Sequence, residues 1–166
     1  LWSEPISKNQ IMEIDYSLSL SNDSRNKVVY DQVSDDEVLN DELSANGEYA
    51  KLSNQVKLSH KFISSSLRTT VSGSYKNLEL SGGDIFEQPV AFNYFLPSAI
   101  IRWDVTSKGN LRLSYNTSVT APTLDQLQPL PNNTTPSEVV LGNNNLIPEY
   151  NHTVQLRFRN FNQFNF

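Results

Sequence analysis

Two histidines, one acidic run and a set of ordered basic residues are the groups in this chain that could do chemistry. His60 falls on an apolar strand face and His152 at a loop–strand junction. Neither has a nucleophile or carboxylate at a spacing that would build a triad. No phosphate loop, zinc-ligand pattern or paired-carboxylate motif occurs, and cysteine is absent, which removes thiolate metal sites and disulfides. The expectation is a non-enzyme with no catalytic residue, no metal and no cofactor. Segment 22–48 carries Asp23, Asp31, Asp35, Asp36, Glu37, Asp41, Glu42 and Glu48 against Arg25 and Lys27. It lacks the spacing and turn glycine of a calcium loop, so it reads as a solvated acidic loop, with 35–43 able to form a short helical turn.

The basic residues are sorted. Lys51, Lys57, Lys61, Arg68, Lys76, Arg102, Arg112, Arg157 and Arg159 fall on the polar faces of predicted strands, where Glu13, Asp15 and Asp104 are the opposing acids. Arg102, Arg112 and Arg157 are the candidates for a functional wall, because guanidinium groups stay charged at any working pH and pair with carboxylates or an anionic ligand. A chain of net charge -5 with nine of its 13 Lys and Arg on one wall is not expected to bind nucleic acid.

Alternating segments must position these groups. Met12, Ile14, Tyr16, Leu18 and Leu20 share one face of 9–21, with Glu13, Asp15, Ser17 and Ser19 on the other, the period of two that marks a half-buried strand. The same alternation recurs at 49–62, 67–77, 93–105, 110–120 and 151–160, with long loops at 22–48, 78–92 and 121–150. Pro97 should interrupt a ladder in the fourth strand. Gly109 should supply a positive φ in the hairpin turn 106–110. The chain is 37% hydrophobic, and no apolar run approaches the roughly 20 residues of a membrane helix. Barrel strands need only about 9–11 residues, so a membrane remains open. Connections alternate between long and short, as the extracellular loops and periplasmic turns of outer-membrane barrels do. Phe62, Trp103, Phe158 and Phe161 gather near the short-turn ends, and Tyr49, Phe95 and Tyr16 near the other, where aromatic girdles belong.

The stretch from Gly109 to Arg159 carries a resemblance. SYNTSVTAPTLDQLQP resembles the "lrlsY…rPs…qL.P" segment of the TonB-dependent-receptor-like outer-membrane β-barrels of Bacteroidetes type, and GNNNLIPEY resembles their "GNP.L.PE" signature. The matching positions are Tyr115, Pro122, Leu127, Pro129, Gly142, Asn143, Leu146, Pro148 and Glu149, read as structural; Asn144 stands where the family has proline and Ala121 where it often has arginine.

The resemblance implies an all-β, antiparallel up-and-down meander of about six strands, part of a larger transmembrane β-barrel, residues 1–166 forming one partial domain from its C-terminal half. About six strands are too few to close a membrane barrel, whose smallest forms have about eight. The chain opens on Leu1 without a signal peptide and ends in RNFNQFNF, so it reads as a mature product or internal piece cut off at a seventh strand, with no plug domain in this sequence. The implied role is a segment of an outer-membrane receptor or transporter, forming wall and extracellular loops for ligand capture and uptake. Its partners would be outer-membrane lipid, the plug domain and energy-coupling protein of the parent chain, and, as in some relatives, a surface lipoprotein. The alternative from the residues alone is a soluble extracellular β-sandwich used in binding or adhesion.

Overall fold

The computed structural model describes residues 1–33, 35–40, 44–83, 85–106, 108–127, 132–135, 138–140 and 142–160. In chain order the elements are β1 (Trp2–Ser7), β2 (Gln10–Lys27), β3 (Tyr30–Val33), β4 (Asp36–Leu39), β5 (Ala45–Ile63), β6 (Leu67–Ser81), β7 (Val90–Thr106), β8 (Gly109–Thr120), α1 (Leu124–Leu127), β9 (Asn132–Thr135), β10 (Glu138–Val140) and β11 (Glu149–Asn160). Seven strands form one antiparallel sheet in the order β1-β2-β5-β6-β7-β8-β11, each beside its neighbour in the meander. β3–β4 and β9–β10 are separate two-stranded hairpins inside long connections.

Several expectations are corrected. The sheet gains an edge strand, β1, whose short alternation around Trp2 and Ile6 is obscured by Pro5, tolerated because it sits on an edge and beside a register slip. Most of the expected loop 22–48 is paired: β2 continues to Lys27 against β5, which begins at Ala45. The expected helical turn at 35–43 is instead β4, paired with β3; its residues 41–43 lie outside the described ones. The expected loop 78–92 shrinks to 82–89, and 121–150 holds α1, β9 and β10. Gly109 carries no positive φ; a Cβ there would lie 2.9 Å from the Thr106 hydroxyl, which would have to shift to admit a side chain. Phe161 and the expected seventh strand beyond Asn160 lie outside the described residues.

Pro97 acts as its chemistry requires. It pairs with Gly73 on β6, but the β7–β8 ladder stops at Ser98↔Asn116, one residue short of the missing N–H. Beyond it, the Thr117 hydroxyl donates to the Pro97 carbonyl at 2.8 Å and the Tyr150 hydroxyl to the Phe95 carbonyl at 2.7 Å.

The register sorts the side chains into two faces. Tyr16, Val56, Tyr75 and Phe95 stand directly abreast on one face. Leu58, Val71, Ile101, Leu113, Leu156 and Trp103 share it, each 37–69% exposed. Phe62, Trp103 and Phe158 mark its short-turn end. At the other end, Tyr16 and Tyr75 donate to Asn54 and Asn93, each at 2.9 Å, in a row of amides across β5, β6 and β7, while on β2 the apolar face runs on through Leu18 and Leu20. The opposite face is polar and the more buried of the two: Ser59, Ser72, Ser74 and Ser114 all lie there below 9% exposure, as side chains crowd on the inside of a curved sheet. Ser72 and Ser59 share a hydrogen bond of 2.9 Å across β6 and β5.

Candidate functional site: the inner wall and its loop cap

The inner face holds the ordered cations. Arg68 stands opposite Arg102, Arg102 opposite Arg112, and Arg112 opposite Arg157, one unbroken row across β6, β7, β8 and β11. Arg68 has Asp104 within 3.7 Å. Among the described residues, no carboxylate forms an ion pair with Arg102, Arg112 or Arg157. Two lysines on the same face are satisfied locally, Lys51 by Asp23 and Lys61 by Glu13, each at 2.6 Å. Higher on the wall a recess of about 220 Å³ is lined by Lys57, Lys76, Gln55, Ser74, Asn116 and Ser118. Those amides, hydroxyls and ammonium groups suit a polar or anionic solute.

The polarity of the inner face inverts towards the long loops. Leu78, Leu80 and Tyr49 point inward there and are 0–4% exposed, while Glu79 takes the outer face. They form a core with Ile85, Leu124 and Leu127, against which Phe86, Phe92, Val119 and Ala121 pack. Tyr49 therefore lies in the loop-end core and not in the aromatic girdle expected of it. It stands beyond the amide row, outside the apolar band. Its hydroxyl has no hydrogen-bond partner among the described residues, and burial first, then the Asp23 carboxylate, push its pKa up to about 12.

The motif residues build this cap. Pro122 ends β8 and is buried. Thr123 caps α1 reciprocally with Gln126: the Thr123 N–H donates to Gln126 Oε1 at 2.9 Å, and the Gln126 N–H to the Thr123 hydroxyl at 3.4 Å, a capping box. One turn of helix then drives Leu124 and Leu127 into the core at 8% and 0% exposure. Asp125, on the same turn, pairs with Arg25 of β2. The segment that leaves β8 thus crosses the inner face to reach β5 and β2.

The second motif closes on the first. The Asn143 N–H donates to the Gln126 carbonyl at 2.7 Å, and Asn143 Oδ1 accepts from the Asn145 N–H at 2.9 Å, so GNNN folds onto the end of α1. Pro148 is buried, Gly142 half-buried, and Leu146 and Glu149 exposed. Pro129 lies outside the described residues. Between this loop and 85–92 lies an open cavity of about 500 Å³ whose apolar lining is Ile85, Phe86, Val90, Phe92, Leu146 and Ile147. Sequence reasoning missed it because its two walls come from different loops.

Tyr115 belongs to the outer face, where its hydroxyl meets His152 Nδ1 at 2.9 Å and the rings stack at 6.0 Å. His60 Nε2 lies 3.1 Å from Gln10 Oε1, also on the outer face. Both histidines are thus partnered away from the polar wall.

No curated protein and no solved structure shows a significant match to this chain. A model of the "TonB dependent receptor-like, beta-barrel" family matches residues 12–166, which takes in six of the seven sheet strands, the cap and both motifs. The chain belongs to the TonB dependent receptor-like β-barrel family, a family of outer-membrane receptors and transporters.

Proposed function

We propose that this chain is a section of barrel wall with its loop-end cap, in which the loops capture a ligand and the polar wall lines its passage into the cell. The observation that carries this reading is the outer face. A band of aliphatic side chains, mostly 37–69% exposed, runs between two aromatic rows and carries no Asp, Glu, Lys or Arg from β2 to β11; on the edge strand β1, Glu4 stands on this face opposite Met12. In water such a face would far exceed the few hundred Å² that a soluble monomer leaves bare; in lipid it is the required surface. A β-sandwich would cover it with a second sheet, and among the described residues nothing packs there. Seven strands in an open sheet leave two ladder edges, which further strands of a larger barrel would pair.

On this reading the face inside is where transport happens. The wall recess and the apolar mouth cavity supply polar and apolar contacts in sequence along the passage. The work is binding and conduction, with no covalent step assigned to any residue.

Accessibility in cells tests the arrangement. Single cysteines at Asp36 and Glu87, on the long connections, should react with a membrane-impermeant thiol reagent on intact cells. Cysteines at Ser65 and Lys108, on the short turns, should react only after the outer membrane is opened. Equal labelling of the two sets would remove the transmembrane arrangement.

A further inference from the structure

The ladder between β7 and β8 is incomplete. β7 pairs with β6 as far as Val90, and β8 with β11 as far as Thr120, but β7 and β8 pair only up to Ser98↔Asn116. Continued in register, Pro97 would meet Thr117 and Phe95 would meet Val119. The Pro97 and Phe95 carbonyls accept instead from the Thr117 and Tyr150 hydroxyls. The main-chain groups of Thr117 and Val119 on that side therefore have no ladder partner. The wall recess of about 220 Å³ lies at this seam. Alternation assigns Thr117 and Val119 to the outer face with Tyr115, yet both line the recess, so it reaches into the gap between the two strands. Lys57 and Lys76 stand across from the gap, diagonal neighbours on β5 and β6 at a spacing of about 7–8 Å. Both are half-buried. Asp15 stands directly opposite Lys57 on β2 but makes no ion pair with it, and among the described residues neither lysine has a carboxylate partner.

We propose that this recess is a binding site for a small hydroxylated anion, a solute the size of one sugar unit that carries a carboxylate or phosphate group. The inference rests on the barrel reading, which makes the recess part of the passage. Each part of the solute has a counterpart. Two ammonium groups without carboxylate partners supply charge-assisted hydrogen bonds to the acidic group. Each is a point charge on a flexible stem, suited to a solute that must also leave. Gln55, Ser74, Asn116 and Ser118 can both donate and accept, which is what hydroxyl groups require. Size sets the rest: about 220 Å³ is about seven water volumes of roughly 30 Å³ each, more than a bare inorganic anion fills. The next inward residues on β6 after Lys76 are Leu78 and Leu80, buried in the loop-end core. The recess thus lies directly beneath the cap, where a captured solute would enter the polar passage.

The test uses the full-length protein purified in detergent, with acetylation of individual lysines followed by mass spectrometry. Acetylation is run with D-glucuronate, with D-glucose, with inorganic phosphate, and with sodium chloride at matched ionic strength. Lys108, exposed on a short turn, reports general reactivity. A solute at about ten times its dissociation constant leaves about one site in eleven empty, so saturating glucuronate should slow acetylation of Lys57 and Lys76 about tenfold. Glucose and chloride should not, and Lys108 should react equally in all four. Lys57→Gln should abolish the protection of Lys76, and Lys76→Gln that of Lys57, with heat-modifiable mobility showing that each variant is folded. Absence of protection by glucuronate overturns the proposal. Equal protection by glucose does so too, because charge would then have no role. Protection by inorganic phosphate alone would leave the hydroxylated body without a contribution, and also overturn it. So would lysines that stay unreactive with no anion added while Lys108 reacts, since the protein itself would then cover them. Protection of Lys76 that survives in folded Lys57→Gln would separate the two lysines and refute a single site. Recovery of the protein as a water-soluble species without detergent would reject the barrel reading itself, a failure seen in fractionation before any labelling.

Discussion

Arginine placed along the outer face of β6 should report the depth of each position in the membrane. Val71 is the centre of that face. It is 55% exposed, lies between His60 and Ala99, and is four residues from Leu67 at one boundary and from Tyr75 at the other. The stretch Leu67–Tyr75 is about 26 Å long at about 3.3 Å per residue. A strand tilt of about 40° leaves about 20 Å along the membrane normal, close to the ~25 Å apolar band of outer-membrane barrels. Val71→Arg therefore puts a guanidinium near the bilayer midplane, where it costs about 2–4 kcal/mol, while Leu67→Arg and Tyr75→Arg at the interfaces cost about 0–1 kcal/mol. The assay is urea-dependent folding of the full-length protein into lipid vesicles, followed by heat-modifiable mobility. The three variants should trace a peak at Val71. On a soluble protein an exposed valine changed to arginine usually moves stability by no more than about 0.5 kcal/mol. A flat profile across the three positions would refute the lipid-facing assignment, whatever the absolute values.

Three other substitutions probe packing. Gly73→Leu should destabilise by about 1–3 kcal/mol, because a Cβ at Gly73 already falls 3.0 Å from the Phe95 ring; adding Phe95→Ala should recover part of the loss in a double-mutant cycle. Leu127→Ala should loosen the cap by about 2–5 kcal/mol, seen as faster proteolytic nicking between β8 and β9 with membrane assembly unchanged, since Leu127 is fully buried in the loop-end core. Tyr49→Phe should leave stability unchanged or raise it by about 1 kcal/mol, measured by the same vesicle unfolding, because it removes a buried hydroxyl without a partner among the described residues.

What the sequence alone determined is the sheet through the apolar band. On the proposed barrel reading, one face between the aromatic rows meets lipid and the other water, so side-chain polarity follows the period of two and each strand is legible residue by residue. The legibility stops where that environment stops. At Leu78, Leu80 and Tyr49 the apolar residues move to the inner face, because loops and not water lie inside at that level. A pattern read as lipid-outside, water-inside then looks like a loop, which is why the ends of β5 and β6 are not legible; the end of β2, 22–27, carries no apolar residue to alternate. Ser114 illustrates the same limit: its polarity marks the inner face, but its burial to 6% comes from neighbours crowding on the inside of the curve.

The motifs at 115–129 and 142–149 were legible as punctuation, since Pro122 follows the end of β8 and Pro148 stands just before β11. Their work was not. Only the tertiary structure sends α1 across the inner face, puts Leu127 in one core with Leu80, and brings Asp125 to Arg25, a hundred residues away in the chain. The arginine row divides in the same manner. Arg102, Arg112 and Arg157 could be assigned to polar faces one strand at a time, but register is a relation between strands. It depends on turn length and on the irregularity between Asp104 and Thr106 that realigns β7 with β8. Those ladders place Arg68 beside the other three and turn scattered cations into one continuous line of charge.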